Sequence, residues 1–318
     1  MTEQTAPAIE TRELTVTIGQ FRLRDVHLRI PSGVLCAVLG AAGSGKTTLV
    51  KLLLGLEDPD AGQRLIFGHD LTRDQPQIHL GYLPQPHLLH DEMTIQEALR
   101  FTTSLVGQQH IDSAAMQNVL STVKLTVNLH MRVSTLNISE RRRLQLAKAL
   151  LGEPCCLLLD DPAASLTDNA RRELLDILRD VNVGRTVIYT TSIPADAIYA
   201  SDYLALLHEG ALIAQGATTD LIEQADNAIY HLTISGDATT VHDLLIEQAW
   251  IESIHVQRKD DLFRWTVHVN DERQAERSLL RAVLADRRLH VVDYGQARMK
   301  LRPILQQIEM AGTTARTS

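Results

Sequence analysis

Eight consecutive residues carry the most specific chemistry in this sequence. Gly40, Ala41, Ala42, Gly43, Ser44, Gly45, Lys46 and Thr47 fit the pattern G-x-x-x-x-G-K-[ST]. Small residues let successive backbone N–H groups turn inward and surround phosphate oxygens at the positive end of a following helix. Lys46 is placed to neutralise β- and γ-phosphate charge, and the Thr47 hydroxyl to ligate Mg²⁺, with Thr48 included in the same binding set. The pattern predicts a nucleotide-binding loop.

Such a loop needs a strand before it and a helix after it. Residues 34–39 form a continuous apolar run that suits a strand buried on both faces, and residues 47–56 have helical spacing. Upstream, alternation over 13–18 and 21–30 predicts two half-buried antiparallel strands, closed by a turn at Pro31, Ser32 and Gly33. Residues 94–143 read as mostly helical, for example 95–101 and 114–123, and predict a helical layer inserted between two parts of an α/β sheet. Strands return at 155–159 and 186–189, and a hairpin at 203–207 and 211–214 turns around His208, Glu209 and Gly210.

The rhythm changes near Asp226. Strand 229–235, helix 240–248, strands 251–257 and 262–269, helix 272–285 and strand 289–294 give the order β-α-β-β-α-β, a ferredoxin-like arrangement. A last helix is predicted at 299–309. The expected organisation is an α/β domain over 1–226 with a helical subdomain at about 90–150, a small α+β domain over 227–310, and a disordered tail at 311–318.

Composition narrows the partners. Of 318 residues, 31 are Lys or Arg and 39 Asp or Glu, a formal net charge of −8 that disfavours a nucleic-acid backbone as the main partner. Cys36, Cys155 and Cys156 lie in apolar runs at a spacing that gives neither a disulfide framework nor a zinc ligand set, which predicts a reducing, cytoplasmic setting. No apolar stretch approaches the roughly 18 residues of a membrane span, so a membrane role is expected to come through a partner.

Later segments decide among proteins with such a loop. Gly81, Tyr82, Leu83, Pro84 and Gln85, followed by 93–99, resemble the Q-loop region of ATP-binding cassette (ABC) transporter nucleotide-binding domains. Residues 147–151, then Glu153 and Pro154, then 157–162 resemble that family's signature helix running into its Walker B strand, and the likeness extends over about 11–222. It implies a P-loop NTPase fold and ATP with Mg²⁺ as cofactors. Asp160 would hold the metal through water, and Gln85 would sense metal and γ-phosphate. A separate membrane-spanning permease and a second ABC subunit are the implied partners, at the inner face of the cell membrane. The segment after Asp226 is similar to the extra domain on ATPase subunits of ABC-2 type exporters.

Several positions depart from the family pattern. The hydrolytic base is expected as glutamate directly after Asp160, where this chain has Asp161, one methylene shorter; misplacement by about an ångström can cost about 10²-fold in rate. The switch histidine is replaced by Ser192, which carries no positive charge. The signature appears as Leu136, Asn137, Ile138, Ser139 and Glu140, where bulky Ile138 and anionic Glu140 oppose close approach to a triphosphate, although Asn137 and Glu140 have capping-box spacing. The adenine-facing aromatic departs as well: Ile18 holds the nearest position, and Phe21 replaces it only if the hairpin register shifts. These departures leave two expectations open, an ATP-binding subunit with slow turnover through Asp161 and one that binds ATP without hydrolysing it.

Other features have plainer expectations. His87 and His90 predict a solvated loop, Arg141, Arg142 and Arg143 a solvated helix face, and Trp250 and Trp265 core packing.

Overall fold

The computed structural model describes residues 6–71, 78–85, 89–105, 111–226, 228–236, 239–259, 262–286 and 288–297. His87 and the segments 299–309 and 311–318 lie outside the described residues. One compact unit runs to Thr218 and a second begins at Thr219.

In the first unit, β1 (Ile9–Ile18) alternates buried and exposed residues and pairs antiparallel with β2 (Phe21–Val26). It starts earlier than the alternation at 13–18 suggests, because Ile9 lies opposite Ile30 of β3 (Arg29–Ile30) and Ile66 further along the chain. Next, β4 (Leu35–Leu39) is buried throughout and leads through the glycine-rich loop into α1 (Lys46–Leu54). The strands β5 (Ala61–Ile66) and β6 (His69–Asp70) complete the antiparallel sheet β2-β1-β5-β6, with β3 also on β1.

The larger sheet, whose first strand in the sequence is β4, continues with β7 (Leu80–Leu83). A helical layer follows: α2 (Ile95–Leu105), α3 (Ser113–Thr122) and α4 (Ile138–Leu150). Between α3 and α4 the chain is mostly non-helical, with a single 3₁₀ turn at Val133–Thr135 and a bridge from Thr94 to Arg132. The chain then returns through β8 (Cys156–Leu159), α5 (Asp168–Asn182), β9 (Thr186–Thr191), α6 (Pro194–Ala200), β10 (Tyr203–His208) and β11 (Ala211–Ala217). Strand order is β11-β10-β4-β9-β8-β7, parallel from β10 to β7, with β11 antiparallel at the edge. Glu209 and Gly210 both have positive φ, 46° and 76°, as a two-residue hairpin with the twist of its strands requires. A shared core, including Leu14, Leu23, Val38, Leu49, Leu158 and Ile188, ties both sheets to α1.

The second unit opens with α7 (Thr218–Asp226) and continues with β12 (Ala228–Ser235), α8 (Thr239–Ile246), β13 (Ile251–Lys259), β14 (Leu262–Val269), α9 (Glu272–Ala285) and β15 (His290–Ala297). All pairings in its sheet are antiparallel, in the order β13-β14-β12-β15, the topology expected of the β-α-β-β-α-β pattern. Trp265 is buried, and with Trp250, Tyr230, Leu279 and Val283 it packs this unit's own core.

Candidate functional site

The parallel register brings the C-terminal ends of four strands together. Leu39 lies opposite Thr191, Leu159 opposite Tyr189, and Leu83 opposite Leu159. The residues just beyond are therefore Gly40 after β4, Ser192 after β9, Asp160 after β8 and Gln85 shortly after β7, and ligands in such sheets bind outside this edge. A cavity of about 450 Å³ lies here, lined by Ile18, Phe21, Ala42, Gly43, Gly45, Lys46, Thr47, Thr48, Gln85, Asp160, Asp161, Thr190 and Ser192.

The loop is shaped by its small residues. Gly43 and Gly45 sit at φ 78° and 105°. A Cβ on Gly40 would stand 2.3 Å from Ser44 Oγ and 2.4 Å from the Leu207 carbonyl. Gly45 caps α1 without a side-chain hydrogen bond, and no acidic residue stands in the helix's first turn. The first-turn amides thus keep their positive end uncompensated, as an anion site requires. Gly40 and Ala41 are not among the lining residues; their carbonyls accept hydrogen bonds from Lys46 Nζ at 2.8 and 2.9 Å. Burial holds the Lys46 ammonium below its usual range, against the opposing pull of Asp161 and Asp160.

Thr190 organises the carboxylate pair. Its hydroxyl donates to Asp160 Oδ1 at 2.8 Å and accepts from the Asp161 backbone N–H at 2.8 Å. Asp160 is 1% exposed, and its Oδ2 has no hydrogen-bond partner among the described residues. A buried carboxylate oxygen left unpaired on a cavity wall beside a threonine hydroxyl is a hard donor set, the kind that suits Mg²⁺. Asp161 adopts φ 48°, and its Oδ2 accepts a long 3.5 Å contact from Gln85 Nε2. Burial raises the Asp161 pKa and Asp160 adds to the rise, while Lys46 and Arg142 oppose it. The phosphate loop, the carboxylates, Gln85 and Ser192 therefore share one cavity, and the residues fit a magnesium-bound nucleotide.

The signature-like residues do not line that cavity. Asn137 caps α4: its Oδ1 accepts from Glu140 N–H at 3.0 Å while its own N–H donates to Glu140 Oε2 at 2.9 Å, completing the capping box. Ile138 is 58% exposed at the helix start, and Ser139 follows it.

Three features differ from the sequence reading. Phe21 reaches the cavity without a register shift, because the hairpin pairs Ile18 directly with Phe21 and both line the wall. The arginine triplet is not a solvated face: Arg141 pairs with Asp91, Arg143 with Glu173, and Arg142 is buried. Thr190 went unrecognised; the signal available was its place two residues before Ser192 on the strand beside Asp160.

Comparison with known proteins agrees with this geometry. The family profile described as ABC transporter matches residues 23–164. The sulfate/thiosulfate import ATP-binding protein CysA of Mycobacterium tuberculosis (strain ATCC 25618 / H37Rv) is 32% identical over 244 residues, covering 75% of this chain and 69% of that protein. The probable multidrug ABC transporter ATP-binding protein YbhF of Escherichia coli (strain K12) is 33% identical over 255 residues, 78% of this chain and 42% of that protein. Among solved structures, an ATP-binding subunit of an ABC transporter superposes with a TM-score of 0.58 at 25% identity, over 68% of this chain and 92% of that one. A bacterial Atm1-family ABC exporter with ATP bound gives a TM-score of 0.60 at 22% identity, over 70% and 42%.

The chain belongs to the ABC transporter family and is an ATP-binding subunit of that family. Its first unit has the P-loop NTPase fold of ABC ATPase domains. Among the described residues, no helix is long and apolar enough to cross a membrane.

Proposed function

We propose that this subunit binds MgATP in the 450 Å³ cavity and couples that binding, with weak hydrolysis, to a separate membrane-spanning permease. The observation that carries the reading is the convergence of Lys46, Thr47, Gln85 and Asp160 on the one cavity that begins at the uncapped α1 N-terminus. In this reading the amides of residues 43–48 and Lys46 hold the phosphates, Thr47, Gln85 and Asp160 hold Mg²⁺, and Phe21 and Ile18 offer an apolar wall to the base. Bound Mg²⁺ supplies charge neutralisation for the triphosphate. Asp161 is the carboxylate left to act as base, and Ser192 brings neither charge nor length to assist it.

The subunit acts as a dimer with a second ABC subunit, peripheral to the inner face of the membrane, in an exporter of the ABC-2 type. The ferredoxin-like unit supports the exporter assignment. Relatives named for import and for multidrug transport match this chain at similar identity and do not separate the two directions. Calorimetry with MgATP and a phosphate-release assay, alone and with the permease, test the reading. K46A is expected to weaken MgATP at least about tenfold, as losing a buried phosphate contact does. Unchanged binding by K46A would overturn it.

A second reading, a non-hydrolysing structural or regulatory subunit, is favoured by the α4 N-terminus: the Glu140 carboxylate is engaged in the capping box and the bulky Ile138 stands exposed at the helix start. Under that reading phosphate release stays at background in wild type and in D161N alike. Under the first, D161E combined with S192H raises it by about 10²-fold.

A further inference from the structure

Arg142 lies one turn into α4 and is 7% exposed. Its Nη1 donates to Gln145 Oε1 at 3.1 Å and its Nη2 to the Ala164 carbonyl at 3.0 Å, while its Nε is buried without an acceptor among the described residues. The Ala164 N–H in turn donates to the Asp161 carbonyl at 3.1 Å. That bond closes the turn which Asp161 opens at φ 48°, a conformation non-glycine residues keep only when their surroundings hold them.

Neither of these two acceptors of Arg142 is a carboxylate, yet a buried guanidinium needs compensating charge. The anionic group that acts on it is Asp161, and Arg142 acts on Asp161 in return. Its neighbours are spent elsewhere: Arg141 on Asp91 and Arg143 on Glu173. Asp161 thus feels two cations, Lys46 from the phosphate loop and the buried Arg142 from the helix that begins with the signature-like residues.

We propose that Arg142 is a positioning residue for the nucleotide cavity: its buried guanidinium fixes the turn carrying Asp161 and offsets that carboxylate's negative charge beside the phosphate loop. This rests on reading the cavity as the MgATP site. It makes the start of α4 and the carboxylate pair of the same chain one connected unit, so a shift of the signature-like helix is felt at Asp161.

A double-mutant cycle on the full-length chain tests the idea. MgATP affinity is measured by calorimetry, and unfolding midpoints in urea, for wild type, R142Q, D161N and the double variant. R142Q alone is expected to weaken MgATP about tenfold, because it leaves Asp161 uncompensated near the phosphates, yet less than about twofold in the D161N background. R142K keeps the charge and is expected to stay within about threefold of wild type. A guanidinium that merely packs α4 would give equal losses in both backgrounds and no rescue by lysine; that result overturns the proposal. If R142Q does not fold, R142K decides: it keeps the charge, so a folded R142K that loses about tenfold or more in MgATP affinity overturns the proposal. Wild type that fails to bind MgATP sinks the ATP reading, while the coupling of Arg142 to Asp161 in the urea experiment still decides the positioning claim.

Discussion

At the scale of single residues, the cavity depends on atoms that are absent as much as on those present. Gly45 combines φ 105° with Phe21 Cζ standing 2.6 Å from where a Cβ would lie. G45A therefore meets a forbidden backbone region and an aromatic ring at once, and is expected to cost about 2 kcal/mol of stability and to displace Phe21 from the cavity wall. Urea unfolding and MgATP calorimetry would show both effects; a variant of wild-type stability would contradict the geometry. Asp160 gives the complementary case. D160N keeps the size of the side chain and an oxygen for the Thr190 hydroxyl, so the fold should survive. It removes the charge that makes the unpaired oxygen a metal donor, and the Mg²⁺ dependence of ATP affinity is expected to fall about 10- to 100-fold with little change in ATP binding without metal. Loss of metal-free binding as well would point to a structural role instead.

At the scale of elements, legibility followed locality. The strand-loop-helix around Lys46 and the β-α-β-β-α-β order can be read because each rests on a short periodic run with its own turn signals. By contrast, β5 carries Gly62, Gln63 and Arg64, with neither alternation nor a β-branched run, and is a strand because β1 pairs with it across a long connection. The helix α5, absent from the sequence reading, buries Leu174, Leu175, Ile177, Leu178 and Val181 along one helical stripe. Arg142 reads as solvated because a charge triplet carries no mark of which member is enclosed. The outer face of the second unit's sheet holds a pH-sensitive group of the same non-local kind. His268 sits beside His255 with ring centroids 5.7 Å apart, and His231 and Glu252 also act on it. Burial first, then the neighbouring imidazoles, lower its pKa, with Glu252 opposing. The folded state then binds fewer protons than the unfolded state below about pH 6.5, so this unit's stability should rise with pH through that region and fall on acidification. H268N is expected to flatten the unfolding midpoint between about pH 5 and 7; an unchanged slope would assign the acid sensitivity elsewhere.

At the scale of the whole molecule, the core around Leu49, Leu158 and Ile188 and the core around Trp265 share no residues among those described. Each is large enough to unfold as its own cooperative unit. A ligand that binds only the native first unit stabilises that unit by mass action, by about 2.7 kcal/mol at a free concentration 100 times its dissociation constant. Calorimetric scans of the full chain are therefore expected to show a transition that MgATP moves upward and another that it leaves in place. K46A should reduce the ligand-induced shift without altering the second transition. W265A, which empties a site buried to 1% exposure, should lower the second by an amount equivalent to about 3–5 kcal/mol and leave the ligand-induced shift intact. If MgATP moved both transitions together, the second unit would have to take part in nucleotide-dependent folding, and its role would shift from accessory to part of the binding machinery.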